Sequence, residues 1–143
     1  MNDILSLYDT AQKNHIDIDC FEMKEAESLS LPLGSNTYGI AIDPQKVSSQ
    51  ADEKVKLAHE IGHCVTRSFY NRWSAFDLRQ KHENRADKWA IRRLVPVSRL
   101  DDAVAEGYDS IYSLAQHFNV TEEFMRKALC YYVYGNLAVE LYF

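Results

Sequence analysis

The chain has 143 residues, of which 46% are hydrophobic and 12% aromatic, and its formal net charge is −5. This length suffices for one compact domain with a real core, and the composition excludes a disordered chain. No apolar run approaches the roughly 20 residues that span a bilayer, and we expect neither a secretory signal nor a membrane segment. Three cysteines (Cys20, Cys64, Cys130) form an odd set without Cys-x-x-Cys spacing. They predict a cytoplasmic protein without a disulfide framework.

The net charge conceals a separation of charge along the chain. Residues 1–60 hold eleven acidic and five basic residues, whereas residues 79–99 hold seven basic and two acidic ones. The basic stretch is either a solvated helix face or a surface for a partner, and the solvated face is the simpler interpretation. Because the chain as a whole is acidic, we expect no direct binding of nucleic acid.

The first half of the chain predicts a short helix and a small sheet. Residues 3–13 have the pattern of an amphipathic helix, and apolar residues then alternate with aspartate over residues 16–20, as in a half-exposed strand. Two further strands are predicted at residues 28–33 and 38–42, with turn-forming residues between them. Pro44 prevents the last strand from continuing. A three-stranded sheet is therefore expected.

The second half predicts helices. Ser48 or Ser49 is a fitting N-cap for a long helix whose expected core stripe is Ala51, Val55, Ala58, Gly62, Val65 and Phe69. A connection over residues 71–80 leads to a second helix over residues 81–94, which ends before Pro96. Three more helices are predicted, one capped by Ser98 and ended by Gly107, and two at about 109–118 and 122–134. Strands followed by helices indicate an α+β fold with a mainly helical body.

The long helix carries His59-Glu60-Ile61-Gly62-His63. Histidines four residues apart project from one face of a helix, so two neutral imidazoles in this arrangement can bind one zinc ion. Glu60 is rotated by about 100° from His59, which places it beside the metal as a general base for the attacking water. The alternative is a chance pattern on a surface helix. The core stripe of this helix, and the close packing that Gly62 permits, favour the metal site.

A third protein ligand is expected, because two histidines do not hold a catalytic zinc firmly. The downstream candidates are Asp77, His82, Glu83, Asp87 and His117. In the second helix Glu83, Ala86, Asp87 and Ala90 share one face. The two alanines let this face press against the first helix and bring Glu83 to the metal. His82 as the ligand would turn the alanines outward, so we favour Glu83 over His82.

Asp87 lies one turn beyond Glu83 and is placed to accept a hydrogen bond from His59. Such a bond would fix the tautomer that leaves Nε2 of His59 available to the metal. The simpler interpretation of Asp87 is an ion pair with a basic neighbour. The predicted site thus has one zinc per chain held by His59, His63 and Glu83, with Glu60 catalytic and Asp87 supporting His59.

Both motifs together, His59-Glu-Ile-Gly-His63 and Glu83-Asn-Arg-Ala-Asp-Lys-Trp-Ala90, resemble those of the ImmA/IrrE family of small zinc metallopeptidases. In that family HExxH is followed by a helix of the pattern Glu-x-x-Ala-Asn/Asp-x-aromatic/apolar-Ala. The match spans roughly residues 15–130. It departs from the usual pattern at Trp89, where a smaller residue is common. The second helix is also similar to the ligand helix of gluzincins.

The resemblance implies a minimal gluzincin-like zincin fold in a single domain over residues 1–143. Its catalytic core would span about 15–95 and its helical C-terminal part about 98–143. It also implies a cytoplasmic zinc metalloendopeptidase whose protein substrate is a helix-turn-helix repressor in a bacterial or phage regulatory circuit. The alternative is a zinc-bearing anti-repressor that binds its partner without proteolysis. Glu60 argues against that alternative, because a structural zinc site has no use for this carboxylate.

DNA binding is a rival function from another class. Residues 113–129 have the rhythm of a helix-turn-helix, whose second helix would meet the base edges with its N-terminal end. That end carries Glu122 and Glu123, which repel phosphate. A packing or partner-docking role is therefore favoured for this segment.

Three further predictions concern the surroundings of the metal. A donor is needed to stabilise the oxyanion of peptide hydrolysis, and the sequence offers four without choosing among them: Tyr38, Tyr70, His82 and Arg85. The strand over residues 38–42 could receive the substrate backbone as an added strand, or be an ordinary edge strand. Cys64 adjoins His63 but points elsewhere on the helix, so we expect it to be packed and inert.

Overall fold

The computed structural model describes residues 3–71 and 73–139. Within these residues lie three strands, β1 (Ile16–Cys20), β2 (Ser28–Gly34) and β3 (Thr37–Ile42). The helices are α1 (Ile4–Lys13), α2 (Gln50–Thr66), α3 (Phe76–Leu94), α4 (Val97–Ala105), α5 (Ile111–Phe118) and α6 (Glu122–Tyr134). The predicted α+β class, with a small sheet and a mainly helical body, is confirmed. The predicted domain limits, residues 1 and 143, lie outside the described residues.

The three strands form one mixed sheet in the order β1-β3-β2. β3 pairs in parallel with β1 and antiparallel with β2, so both of its edges are hydrogen-bonded within the sheet. The prediction that β3 receives a substrate strand is therefore wrong. β2 is instead the edge strand that packs beside α2.

Helix α2 begins as predicted, with the Ser49 side chain accepting a hydrogen bond from the backbone N–H of Asp52. Its buried face is broader than the predicted stripe. Leu57 and Ile61 are fully buried although neither was assigned to the stripe, while Val65 is 37% exposed. The reason is that α2 packs against β2 on one side and α3 on another, so no single stripe describes its core contacts.

Helix α3 packs closely against α2 at Gly62. A Cβ atom built on Gly62 would lie 2.7 Å from the backbone oxygen of Ala86, closer than real Cβ contacts. Ala86 and Ala90 are both fully buried. The predicted small-residue face of α3 is thus the face that meets α2, and it places Glu83 opposite the HExxH motif.

We predict that Gly62→Ala destabilises the protein by about 1–2 kcal/mol. Overpacking costs roughly 1–3 kcal/mol, and the clash with a backbone atom places Gly62→Ala in the upper part of that range. The cost therefore exceeds the gain of about 1 kcal/mol from alanine's higher helix propensity. The measurement is the free energy of unfolding in urea. Gly34→Ala is the control, because its added methyl group meets only an ordinary contact at 3.5 Å. Equal free energies of unfolding of the two variants would show that α2 and α3 move apart at Gly62 without loss of stability.

Several predicted helix boundaries are wrong. α3 begins at Phe76 rather than at residue 81, because residues 76–80 contain no helix breaker and extend the helix towards its N-terminus. α4 begins at Val97 directly after Pro96, whose fixed φ favours a helix start, so Ser98 lies inside the helix instead of capping it. α5 begins at Ile111, where Ser110 and Ser113 form a capping box.

Helices α5 and α6 form a pair joined by residues 119–121. α6 has its predicted bounds and is capped by Thr121, and its residues Phe124, Met125 and Ala128 are buried in the core. The helix-turn-helix rhythm therefore corresponds to a packed helix pair. Within residues 3–71 and 73–139, no helix is both long enough and apolar enough to cross a bilayer.

Candidate metal centre

Two helices bring three potential ligands together. His59 and His63 project from successive turns of α2, and Glu83 faces them from α3. The Nε2 atoms of the two histidines are 3.2 Å apart. Glu83 Oε2 lies 2.7 Å from Nε2 of His59 and 3.3 Å from Nε2 of His63. These three residues form the only His/Cys/Asp/Glu group with metal-binding spacing that the described part of the chain contains.

The remaining ring nitrogens of both histidines are already engaged. Nδ1 of His63 lies 2.6 Å from the carbonyl oxygen of Ser68, and Nδ1 of His59 lies 2.8 Å from Oδ1 of Asp87. Because a carbonyl and a carboxylate only accept hydrogen bonds, each Nδ1 must carry the proton and donate it. In each neutral imidazole the Nε2 lone pair is then available to a metal.

The donor set fits a zinc ion. Two imidazole nitrogens and one carboxylate oxygen are zinc's common ligands, and a catalytic zinc takes three protein ligands and keeps its fourth position for water. Ligands that bind one tetrahedral zinc at about 2.0–2.1 Å lie roughly 3.3 Å apart. The separations of 2.7, 3.2 and 3.3 Å in this cluster are close to that value.

The other candidate ligands lie elsewhere. The ring of His117 packs on Tyr108, with ring centroids 4.3 Å apart. His82 and Asp77 are on α3 but do not join the cluster of three. Asp87 lies behind His59, on its Nδ1 side.

A family model described as the IrrE N-terminal-like domain, peptidase family M78, matches residues 12–129 of the chain. This match covers most of the sequence and includes all three clustered residues. The chain belongs to this family. Membership makes it a metallopeptidase of the ImmA/IrrE type, and the family is zinc-dependent. No curated protein matched the chain in a similarity search.

In this IrrE-like peptidase, hydrogen bonds within the ligand cluster shift the pKa values of His59 and Glu83. Burial lowers the pKa of His59, but hydrogen bonds to Asp87 and Glu83 outweigh burial and raise that pKa to about 10. Burial raises the pKa of Glu83, and hydrogen bonds from His59, His63 and Tyr70 bring it well below its usual range. Without a metal His59 therefore carries a second proton between Glu83 and Asp87, and a metal would displace that proton.

Glu60 lies beside the cluster without joining it. The residue is 5% exposed, and its Oε2 accepts a hydrogen bond of 2.7 Å from Oγ of Ser28. Ser28 is the first residue of the edge strand β2. No sequence pattern points to Ser28, because this contact joins residues 32 positions apart and belongs to no motif.

A cavity of about 180 Å³ opens beside the cluster in this IrrE-like domain. It is lined by Glu60, His63 and Glu83, by residues 28–30 of β2, and by Phe69 and Tyr70. Of the four oxyanion donors considered from the sequence, Tyr70 lines this cavity. Its hydroxyl group donates a hydrogen bond to Oε1 of Glu83. Burial and the contact with Glu83 raise the pKa of Tyr70 to about 12, so it remains a donor at neutral pH.

A second cavity, of about 450 Å³, lies on the His59 side of the cluster. Residues of β2, α2, α3 and α6 line it, and both cavities touch Ser28 and Glu83. The cluster therefore stands between two cavities, as expected if an extended chain passes across it.

Two other predictions concern residues near the site. Cys64 is 1% exposed, so it is packed as predicted, and burial raises the pKa of its thiol to about 12. The basic stretch is partly used within the fold. Arg92 and Lys88 stack on the ring of Tyr131 in α6, and Arg93 donates to the backbone oxygen of Ser6 in α1.

Proposed function

We propose that this chain is a zinc-dependent metalloendopeptidase in which His59, His63 and Glu83 hold one zinc ion. The observation that carries the proposal is the buried carboxylate of Glu60 beside the three clustered ligands, at a cavity open to a substrate. Zinc, when bound, supplies a Lewis acid that polarises the scissile carbonyl and lowers the pKa of water. Asp87, by accepting from Nδ1 of His59, keeps Nε2 directed at the metal.

The residues around the cavity supply the proton transfers. Glu60 takes a proton from the attacking water and passes it to the leaving amine. Ser28 holds Oε2 of Glu60, which fixes the orientation of the carboxylate during both transfers. Tyr70, protonated at neutral pH, turns its one O–H from Glu83 to the substrate and donates to the carbonyl oxygen as this atom becomes the oxyanion.

The substrate backbone adds to the edge of β2 as an extra strand. Residues 28–30 line the cavity, and the outer edge of β2 is not paired within the described sheet. Extended peptides commonly bind to such edges through main-chain hydrogen bonds. Pro32 has no backbone N–H, so the pairing ends before it.

The proposed substrate is a helix-turn-helix repressor of a bacterial or phage regulatory circuit, and the proposed compartment is the cytoplasm. The three cysteines are an odd set without Cys-x-x-Cys spacing, which suits a reducing compartment. The connections between the described elements are short, and an evident lid that would restrain a general protease is lacking among them. Specificity therefore comes from docking surfaces around the cleft, and the ImmA/IrrE family resemblance directs the proposal towards a repressor.

The test is an incubation of the zinc-loaded protein with casein and with any repressor encoded beside its gene. We expect poor hydrolysis of casein and cleavage of the repressor at one or a few sites, detected by mass spectrometry. Rapid, unselective digestion of casein would contradict restricted specificity. An intact repressor that nevertheless binds the zinc-loaded protein would favour an anti-repressor acting without proteolysis.

DNA binding is the second candidate, and the helix pair α5–α6 is the observation that favours it. Against it stand the acidic first turn of α6 and the burial of its apolar face. A mobility-shift assay at low salt decides between the two functions. Retention of DNA that weakens with added salt would support the DNA-binding alternative.

A further inference from the structure

Both oxygens of the Asp87 carboxylate have a partner, one through a hydrogen bond and the other through an ion pair. Oδ1 accepts the hydrogen bond from His59, and Oδ2 lies 3.6 Å from Nζ of Lys127 in α6. The Asp87 side chain is only 13% exposed, and that of Lys127 is 34% exposed. Lys127 therefore reaches from the C-terminal helix pair to the residue behind a metal ligand.

A possible ion-pair partner lies much closer to Lys127 in the sequence than Asp87 does. Glu123 lies four residues earlier on α6, in the orientation that favours a Glu–Lys pair on a helix surface. Within residues 3–71 and 73–139, however, the ion pair of Lys127 is with Asp87, and none joins it to Glu123. Lys88, next to Asp87 on α3, lies instead over the ring of Tyr131. The Asp87–Lys127 pair is thus a long-range contact between α3 and α6.

The pair has a consequence for the metal ligand. A histidine that binds a cation through Nε2 is a neutral imidazole, and the carboxylates of Glu83 and Glu60 would already offset the two positive charges of a zinc ion, so the charge of Asp87 is left unbalanced within the site. A largely buried carboxylate needs a partner for that charge. Lys127 is the cation placed to be that partner and to oppose rotation of Asp87 away from His59.

We propose that Lys127 is a positioning residue for His59 and acts on it through Asp87. The inference rests on the proposed zinc site and adds α6 to that site. Two further residues of α6, Glu123 and Phe124, line the 450 Å³ cavity together with Lys127. A segment bound in that cavity would consequently touch the helix that holds Asp87 in place.

The experiment measures zinc affinity by competition with a fluorescent chelator, on the full-length protein. Lys127→Met should weaken zinc binding by about 3–10-fold, less than the 10–100-fold typical of changing a residue hydrogen-bonded directly to a ligand. Lys127→Arg should stay within about twofold of the wild type, because it keeps the charge. Arg126→Met, which removes the neighbouring charge on the same helix, is the matched control and should leave zinc affinity unchanged.

A double-mutant comparison separates positioning from a general effect on folding. In an Asp87→Ala background, Lys127→Met should cause no further loss of zinc affinity, because its route to His59 is already broken. The visible spectrum of the cobalt-substituted protein should change in Lys127→Met and remain that of the wild type in Arg126→Met. Wild-type affinity and spectrum in Lys127→Met, or an equal loss in both backgrounds, would overturn the proposal. Failure of the wild type to bind zinc would instead overturn the proposed metal site.

Discussion

Replacing Glu60 by Gln is expected to lower the rate of peptide hydrolysis by about 10²–10⁴-fold while the zinc content stays at one ion per chain. Glutamine keeps the size of the side chain, and its amide oxygen still accepts the hydrogen bond from Ser28. It cannot take a proton from water at neutral pH, so both proton transfers are lost. The ligand cluster does not include Glu60, so zinc binding has no reason to change.

The measurements for Glu60→Gln are turnover on a cleaved substrate and zinc per chain after dialysis. Glu53→Gln is a suitable control because it makes the same change two turns earlier on α2, away from the cluster. Full activity in Glu60→Gln would refute the proposed role of this carboxylate. Loss of zinc together with activity would make Glu60 a structural support of the site instead.

Replacing Glu83 by Ala is expected to weaken zinc binding by more than about 100-fold. That factor is the upper end of the range for residues that are hydrogen-bonded to a metal ligand. Oε2 of Glu83 lies within 3.3 Å of the Nε2 atoms of both histidines. Its removal leaves two ligands, which do not hold a catalytic zinc firmly. His59→Ala and His63→Ala should likewise strip the metal.

His82→Ala is the matched control for Glu83→Ala, because it changes the adjacent residue on α3. His82 does not join the cluster, so its variant should keep the zinc affinity of the wild type. Circular dichroism of each variant checks that the helices remain folded. Wild-type affinity in Glu83→Ala together with loss in His82→Ala would reverse the ligand assignment.

Much of the cluster could be predicted from the sequence because its geometry is local. His59 and His63 are one helical turn apart, and Glu83 shares a helix face with Ala86 and Ala90. Helix periodicity fixes both relations. The docking of α3 on α2 is the only long-range contact that the predicted cluster requires. The small residues Gly62 and Ala86 indicate that contact.

The contacts that escaped prediction join distant parts of the chain. Ser28 meets Glu60 from the edge strand, and Lys127 meets Asp87 from the last helix. No periodicity links these pairs. No single strand pattern encodes the strand order, so the pattern of β3 also allows an edge position, although the strand lies in the centre of the sheet. Helix α2 is buried on two sides, so a prediction of one core stripe omits buried residues such as Leu57 and Ile61.

The most direct test of the central claim is the hydrolysis of a library of internally quenched fluorescent peptides by the wild-type protein, first stripped of metal and then titrated with zinc. We predict that the stripped protein is inactive and that activity on a restricted set of peptides returns as zinc reaches one equivalent per chain. Glu60→Gln, titrated in parallel, should bind the same equivalent without regaining activity. Hydrolysis that survives complete metal removal, or that returns equally in Glu60→Gln, would contradict the account.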